Sequence, residues 1–223
     1  MQDKNIVDWY PSGCSTEEAD RLFKEVWHRD FYERLKIGME SVAGFGTTKH
    51  ETSVYLSELP KIFEELQIKS FLDAGCADFF IMKNIDFSNI NYIGIDFIQD
   101  QIDKNKETYP DVDFRCMNIL TDELPESDVV FCRDVLIHLS NQNIFRFLKN
   151  CLRNNCKYIM LGNYFDLDEN KELGGVLGWR FINLNKYPFN FPDPIFKIEE
   201  PNLNPKKGCS LWRLSDLADI INN

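Results

Sequence analysis

The sequence has little of what most simply announces a function. Only three histidines occur in 223 residues, at His28, His50 and His138, and none is spaced for metal binding from a cysteine or another histidine. The carboxylates are scattered, so no metal site is expected. The seven cysteines, Cys14, Cys76, Cys116, Cys132, Cys151, Cys156 and Cys209, are odd in number and form no C-x-x-C pair. Several fall inside apolar, strand-like runs, where a reduced thiol acts as a small core residue, which predicts a reducing, cytoplasmic setting. No apolar run approaches the length of about 18 residues that spans a membrane. The opening MQDKNIVDWY is too polar for a signal peptide. The G-x-S-x-G turn of a serine hydrolase is missing. So are long basic clusters: pairs such as Lys206 and Lys207 read as solvated turn residues. With 36 acids against 25 bases and a net charge of −11, the chain is not expected to bind nucleic acid.

What is present reads as an α/β domain. Hydrophobic residues make up 43% and charged residues 27%, ordinary globular usage, and the length suffices for one full core. Residues 15–36 open with a serine and acids, then space Leu22, Val26 and Phe31 as a helix would. Gly44 and Gly46 break that pattern. A second amphipathic helix follows over about 50–66, with Pro60 marking a kink or a restart. From residue 70, short β-rich runs (SFLDA, NYIGID, VDFRCM, DVVFC, KYIMLGN) alternate with helix-capable pieces at about 78–84, 98–108 and 140–152. That alternation predicts a parallel sheet covered on both faces. Two late runs, PIFKIEE and CSLWRL, flank the turn-like PNLNPKKG and predict an antiparallel hairpin. The organisation expected is an N-terminal helical cap, 1–49, on one compact unit, 50–223.

In such sheets ligands sit outside the carboxyl ends of the strands. Asp73 ends the first strand and Gly75, Cys76, Ala77 and Asp78 make the following turn, where Gly75 lets the backbone approach a ligand. The G-x-G-x-x-G of a dinucleotide fold is absent, which disfavours a nicotinamide dehydrogenase. Acids on either side of Gly75 suit a cationic ligand. Asp96, ending the second strand, can accept both hydroxyls of a ribose. Asn118 after the third strand, between Met117 and Ile119, can read an adenine edge. Each alone also fits an ordinary strand ending; the three together are more specific.

The run LDAGCADFF…NYIGIDFIQDQI…FRCMNIL…DVVFCRDVLIHLS resembles the class I S-adenosylmethionine-dependent methyltransferases. It is similar in particular to a bacterial subgroup found with glycosyltransferase and polysaccharide genes, which it matches at AGFGTT, DFFIMK, CRDVLIHLS, GWRFINLNKYPFNFPDP and LWRLSDL. Ala77 and Phe79 stand where many members carry glycine. The resemblance implies a Rossmann-like sheet of order 3-2-1-4-5-7-6 with its last strand antiparallel. It implies S-adenosylmethionine as cofactor and S-adenosylhomocysteine as product. The methionine part would lie over Gly75 and Cys76, the cationic sulfonium near Asp73 and Asp78, the ribose on Asp96, and the adenine against Phe97, Asn118 and Ile119.

For the chemistry, His138 is the only histidine beside a strand end and suits a general base, though it could equally pack under the cofactor. Asp134 could orient a hydroxyl or His138. Arg133 could pair with the cofactor carboxylate or an anionic substrate, or simply make a local salt bridge. Trp179 and Arg180 form an aromatic–arginine platform suited to a sugar or phosphate-bearing acceptor, with Trp179 in the core as the rival. Tyr164 and His50 are further candidates for the pocket wall. The activity implied is O-methylation of a small-molecule or sugar-nucleotide acceptor in capsule or polysaccharide synthesis. A phosphate, phosphoramidate or amine acceptor remains open, as does a non-catalytic scaffold partner.

Overall fold

The computed structural model of the chain describes residues 38–44, 46–173 and 179–222. The helix expected over 15–36, and with it most of the N-terminal cap, lies outside the described residues, as does Cys14.

Seven strands form one sheet: β1 (Ser70–Ala74), β2 (Asn91–Asp96), β3 (Asp113–Cys116), β4 (Val129–Cys132), β5 (Tyr158–Tyr164), β6 (Phe196–Glu199) and β7 (Lys207–Arg213). Their order is β3-β2-β1-β4-β5-β7-β6. The first five run parallel. β7 slots antiparallel between β5 and β6, pairing Lys207 with Tyr164 at one end and Arg213 with Tyr158 at the other. The expected order and the late hairpin are both present. The order reverses between β1 and β4, which puts the ligand crevice of an open sheet at their carboxyl ends.

Alternation along the strands explains the two cores. Leu72, Ala74, Val130, Cys132, Ile159 and Leu161 face one side with Trp212, against α3 (Asn141–Arg153) and α4 (Ala218–Asn222). Phe71, Val129, Phe131, Met160, Cys209 and Leu211 face the other, against α1 (Lys49–Glu65). α2 (Gln99–Thr108) covers the β2–β3 end. The Thr48 hydroxyl caps α1 by accepting the N–H of Glu51 at 3.2 Å, and Ser140 does the same for α3 through Asn143. α1 stays helical through Pro60, so no restart occurs there.

The helix expected over 78–84 is instead a tight turn followed by a single 3-10 turn at Met82–Asn84. Ala77 and Phe79 hold left-handed backbone, φ +44° and +60°, which ends any α-helical path. Left-handed backbone is a conformation that glycine adopts without strain and other residues adopt at a cost. Phe79 repays its conformation through packing: its ring lies 5.1 Å from Tyr92, 5.1 Å from Tyr109 and 5.2 Å from Phe114.

Between β5 and β6 the described residues form no helix or strand. Asparagines hold this segment: Asn170 Nδ2 donates to the carbonyls of Asn183 and Tyr187, and Asn163 Oδ1 accepts the N–H of Leu184.

Candidate active site

β1 delivers Asp73 to the carboxyl edge of the sheet with its carboxylate buried. The Tyr92 hydroxyl donates to it at 2.8 Å. Burial pushes the Asp73 carboxyl up to about 7, with the nearby Asp96 charge adding to the rise and the tyrosine hydrogen bond opposing it. Gly75 follows at φ +92°, and its N–H and that of Cys76 both donate to the Ile95 carbonyl. A Cβ at Gly75 would sit 2.3 Å from Val135 Cγ2. The glycine therefore admits the loop after β4, a contact that sequence reasoning had assigned to a ligand. The Cys76 thiol is buried and its pKa is raised by that burial, so it is not a thiolate nucleophile.

Asp96 accepts from Ala77 N at 3.2 Å and Ile98 N at 3.1 Å. Burial raises its pKa, and these backbone donors offset part of the rise. Among the described residues neither Asp73 nor Asp96 has a cationic partner. Two adjacent buried carboxylates of this kind suit a ligand that carries positive charge and hydroxyls. Met117 N donates to the Asp96 carbonyl, which brings the end of β3 alongside. There Asn118 turns the chain, its Oδ1 accepting Leu120 N at 2.9 Å, and Ile119 and Phe97 stand half-buried beside it. Asp73, Gly75, Cys76, Asp96, Phe97, Asn118 and Ile119 are thus brought to one edge of the sheet. Asp78 points elsewhere: it accepts the Ser41 hydroxyl at 2.8 Å and the Val42 N–H at 3.1 Å. It tethers the chain before α1, which replaces the sulfonium contact expected of it.

After β4 the chain builds a charged cluster. Arg133 is buried; its Nε donates to Glu200 Oε1 at 2.7 Å and Nη2 to Glu200 Oε2 at 3.0 Å. Nη1 reaches Thr47 Oγ1 at 3.1 Å and Asp134 Oδ2 at 2.8 Å, and Nη2 also donates to the Gly46 carbonyl. All five guanidinium donors are committed within the protein. Arg133 is therefore an anchor and not a hand for a cofactor or substrate carboxylate. Lys207 Nζ lies 2.6 Å from Asp134 Oδ2 and 3.7 Å from Glu200 Oε2. Burial alone would raise the Asp134 carboxyl, but the Arg133 and Lys207 charges, with His138, hold it below the usual carboxylate range. His138 closes the 3-10 turn Leu136–His138, half-buried and close enough for Asp134 to feel its charge.

The segment after β5 folds over this cluster. Arg180 is buried, its Nη2 donating to the Leu139 carbonyl and to Asn141 Oδ1, both at 2.8 Å, and its Nη1 to the Lys171 carbonyl. It straps residues 179–182 to the loop after β4, and the expected contact with an anionic acceptor gives way to that role. Trp179 is 60% exposed, not core. Its ring lies 5.1 Å from Phe181, which lies 4.6 Å from the buried Tyr164. His50 is exposed, 3.4 Å from Asn202 in the β6–β7 turn. Lys207, expected to be a solvated turn residue, is instead buried at the start of β7, and sequence reasoning missed Glu200 and Phe181. The signal for Lys207 was present in strand period: Lys207 shares its face with Cys209 and Leu211, both in the core.

Residues 72–159, from β1 into β5, match a family model described as a methyltransferase domain. No curated protein sequence matches the chain. Among solved structures, the chain is similar to magnesium protoporphyrin IX methyltransferase from Synechocystis PCC 6803 with bound S-adenosylmethionine. That match has TM-score 0.59 and 10% identity, covering 86% of this chain and 95% of that one. The N-methyltransferase NodS from Bradyrhizobium japonicum WM9, in complex with S-adenosylhomocysteine, matches with TM-score 0.60 and 12% identity, over 85% and 97%. A Leishmania major S-adenosylmethionine-dependent methyltransferase matches with TM-score 0.63 and 14% identity, over 88% and 85%. At these identities the likeness speaks for the fold. Sheet order, the matched domain and these structures agree on one architecture, the Rossmann-like fold of the class I methyltransferases.

Proposed function

We propose that this S-adenosylmethionine-dependent methyltransferase methylates a hydroxyl of a small, neutral carbohydrate-type acceptor, as capsule and polysaccharide assembly would require. The observation that carries the acceptor class is the ladder Trp179–Phe181–Tyr164, which runs from an exposed indole to a buried phenol near the Asp134 cluster. Aromatic faces beside hydrogen-bonding side chains suit the alternating C–H and O–H surface of a sugar ring. The polysaccharide setting rests on the subgroup resemblance of the sequence.

The cofactor supplies a methyl group already activated for displacement. Asp73 and Asp96 offer its cationic and ribose parts two buried carboxylates, and Asn118, Ile119 and Phe97 line the side where an adenine would lie. The protein's remaining work is to align an acceptor hydroxyl and remove its proton. Asp134 is poorly suited to take that proton, because Arg133 and Lys207 hold its pKa low. His138, on the adjoining turn, is the better base, with an imidazole pKa of about 6.5 in water.

A phosphate or phosphoramidate acceptor is disfavoured, since all the donors of Arg133, the arginine beside Asp134, are spent inside the protein. An amine is disfavoured too: a low-pKa carboxylate would hold it protonated, and an ammonium has no lone pair to attack with. The test is calorimetry with S-adenosylmethionine and S-adenosylhomocysteine, then assay of S-adenosylhomocysteine release with methyl glycosides, nucleotide sugars and phosphoethanolamine. Binding of both nucleosides and turnover on a sugar support the reading. Absence of nucleoside binding returns the chain to a scaffold role, and turnover on phosphoethanolamine alone replaces the acceptor.

A further inference from the structure

The Asp134 carboxylate is divided in its use. Oδ2 takes both cations, Lys207 at 2.6 Å and Arg133 at 2.8 Å. Oδ1 has no hydrogen-bond partner and no appreciable solvent exposure. A buried acceptor left unmade costs about 1–3 kcal/mol, so a site that keeps one open is set for a donor from a ligand. The backbone supports the same arrangement. Asp134 sits at φ +59°, a conformation uncommon outside glycine. Gly162 of β5 lies beneath it, where a Cβ would come within 3.2 Å of the Asp134 N–H.

The partners of Asp134 place it in the acceptor half of the crevice. Lys207 begins β7 and Tyr164 ends β5, and the two are paired in register, on the opposite side of β4 from Asp73 and Asp96. We infer that Lys207 is a positioning residue of this site: it fixes the Asp134 carboxylate so that Oδ1 receives a hydroxyl of the methyl acceptor other than the one that is methylated. This rests on the methyltransferase reading above. The charged and titratable groups around the carboxylate are Arg133 from β4, Tyr164 from β5, Lys207 from β7, Glu200 from the β6–β7 connection and His138 from the 3-10 turn. Two cations balance two carboxylates, so the pocket stays close to neutral and favours an uncharged donor. Gly46 covers the pair, where a Cβ would lie 3.0 Å from Lys207 Nζ.

The experiment uses the full chain saturated with S-adenosylhomocysteine and follows methyl glycosides of hexoses and hexosamines by saturation-transfer NMR. At least one glycoside should saturate the wild type. Asp134→Asn should weaken it about 10-fold or more, the scale of one charge-assisted hydrogen bond, with nucleoside affinity unchanged. Lys207→Gln should weaken it similarly, and Lys207→Arg should restore most of it. Between pH 7 and 5 the wild-type affinity should stay flat. In Lys207→Gln it should fall on acidification, because Asp134 loses a cation and its pKa climbs toward that range. The near-isosteric asparagine and the arginine rescue keep the test open if the glutamine variant does not fold. Glycoside affinity unchanged in Asp134→Asn, or no glycoside saturating the wild type, overturns the inference. Failure of S-adenosylhomocysteine itself to bind overturns the methyltransferase reading and is seen first, by calorimetry.

Discussion

His138 and Asp134 stand four residues apart, and their surroundings divide the chemistry between them. With Asp134 held ionised by two cations, the imidazole is the member of the pair left to take the acceptor's proton. His138→Gln should lower turnover by about 10²–10⁴-fold on whichever acceptor the screen returns, with S-adenosylhomocysteine affinity kept within a few-fold. The wild-type rate should rise with pH as the general base loses its proton. A glutamine variant that retains most of its turnover makes the histidine structural. The other residue-scale test is Asp96→Ala, which removes the acceptor expected for the ribose hydroxyls. It should weaken S-adenosylhomocysteine by roughly 1.5–3 kcal/mol in calorimetry. Asp96 also holds the Ala77 and Ile98 N–H groups, so Asp96→Asn is the control that separates lost charge from a loosened turn.

At the scale of elements, the strap 179–182 is tied to the loop after β4 largely through one residue, Arg180. Arg180 gives hydrogen bonds to Lys171, Leu139 and Asn141, and its own N–H meets the Ile137 carbonyl. Arg180→Met keeps the length but leaves the Leu139 carbonyl and Asn141 without their buried donor. The expected loss is about 2–4 kcal/mol in urea unfolding, with a rise in KM for the acceptor larger than any change in cofactor affinity. Strands and helices were the most legible part of this sequence, because SFLDA, NYIGID, DVVFC and KYIMLGN announce themselves by composition and spacing. The turn at 77–79 was misread as helix-capable because nothing in Ala-Asp-Phe reveals left-handed backbone; that conformation is imposed by Asp96, Asn105 and the aromatic cluster closing around it. Arg133 and Arg180 were legible as important but not as held within the protein. Their partners, Glu200, Thr47, Leu139 and Asn141, lie 67, 86, 41 and 39 positions away, beyond any local pattern.

For the whole molecule, Asp73 makes stability depend on pH in an unusual direction. Its carboxyl is raised to about 7 in the folded chain, against about 3.9 when unfolded. The folded state therefore holds a proton that the unfolded state has released, and stability falls as pH rises from about 4 to about 7, then levels. Three units at about 1.4 kcal/mol each set an upper scale of about 4 kcal/mol. Asp73→Asn, which can still accept from Tyr92, should remove most of this decline in urea midpoints between pH 5 and 8. An equal decline in the variant would assign it to other groups, Asp96 first among them.

The antiparallel insertion of β7 between β5 and β6 also bears on how the chain comes into being. Synthesis delivers β1 to β5 first, and with them Arg133 and Asp134, while Glu200 and Lys207 emerge only later. Until residues 200–213 are made, β5 is a bare edge and the guanidinium has no carboxylate from the β6–β7 hairpin to meet. Strand β7 then has to pair with β5 across an intervening stretch of more than 40 residues, a long-range closure of the slow kind. The Asp73–Asp96 edge can thus form early, whereas the Asp134–Lys207 cluster is complete only once β7 has paired.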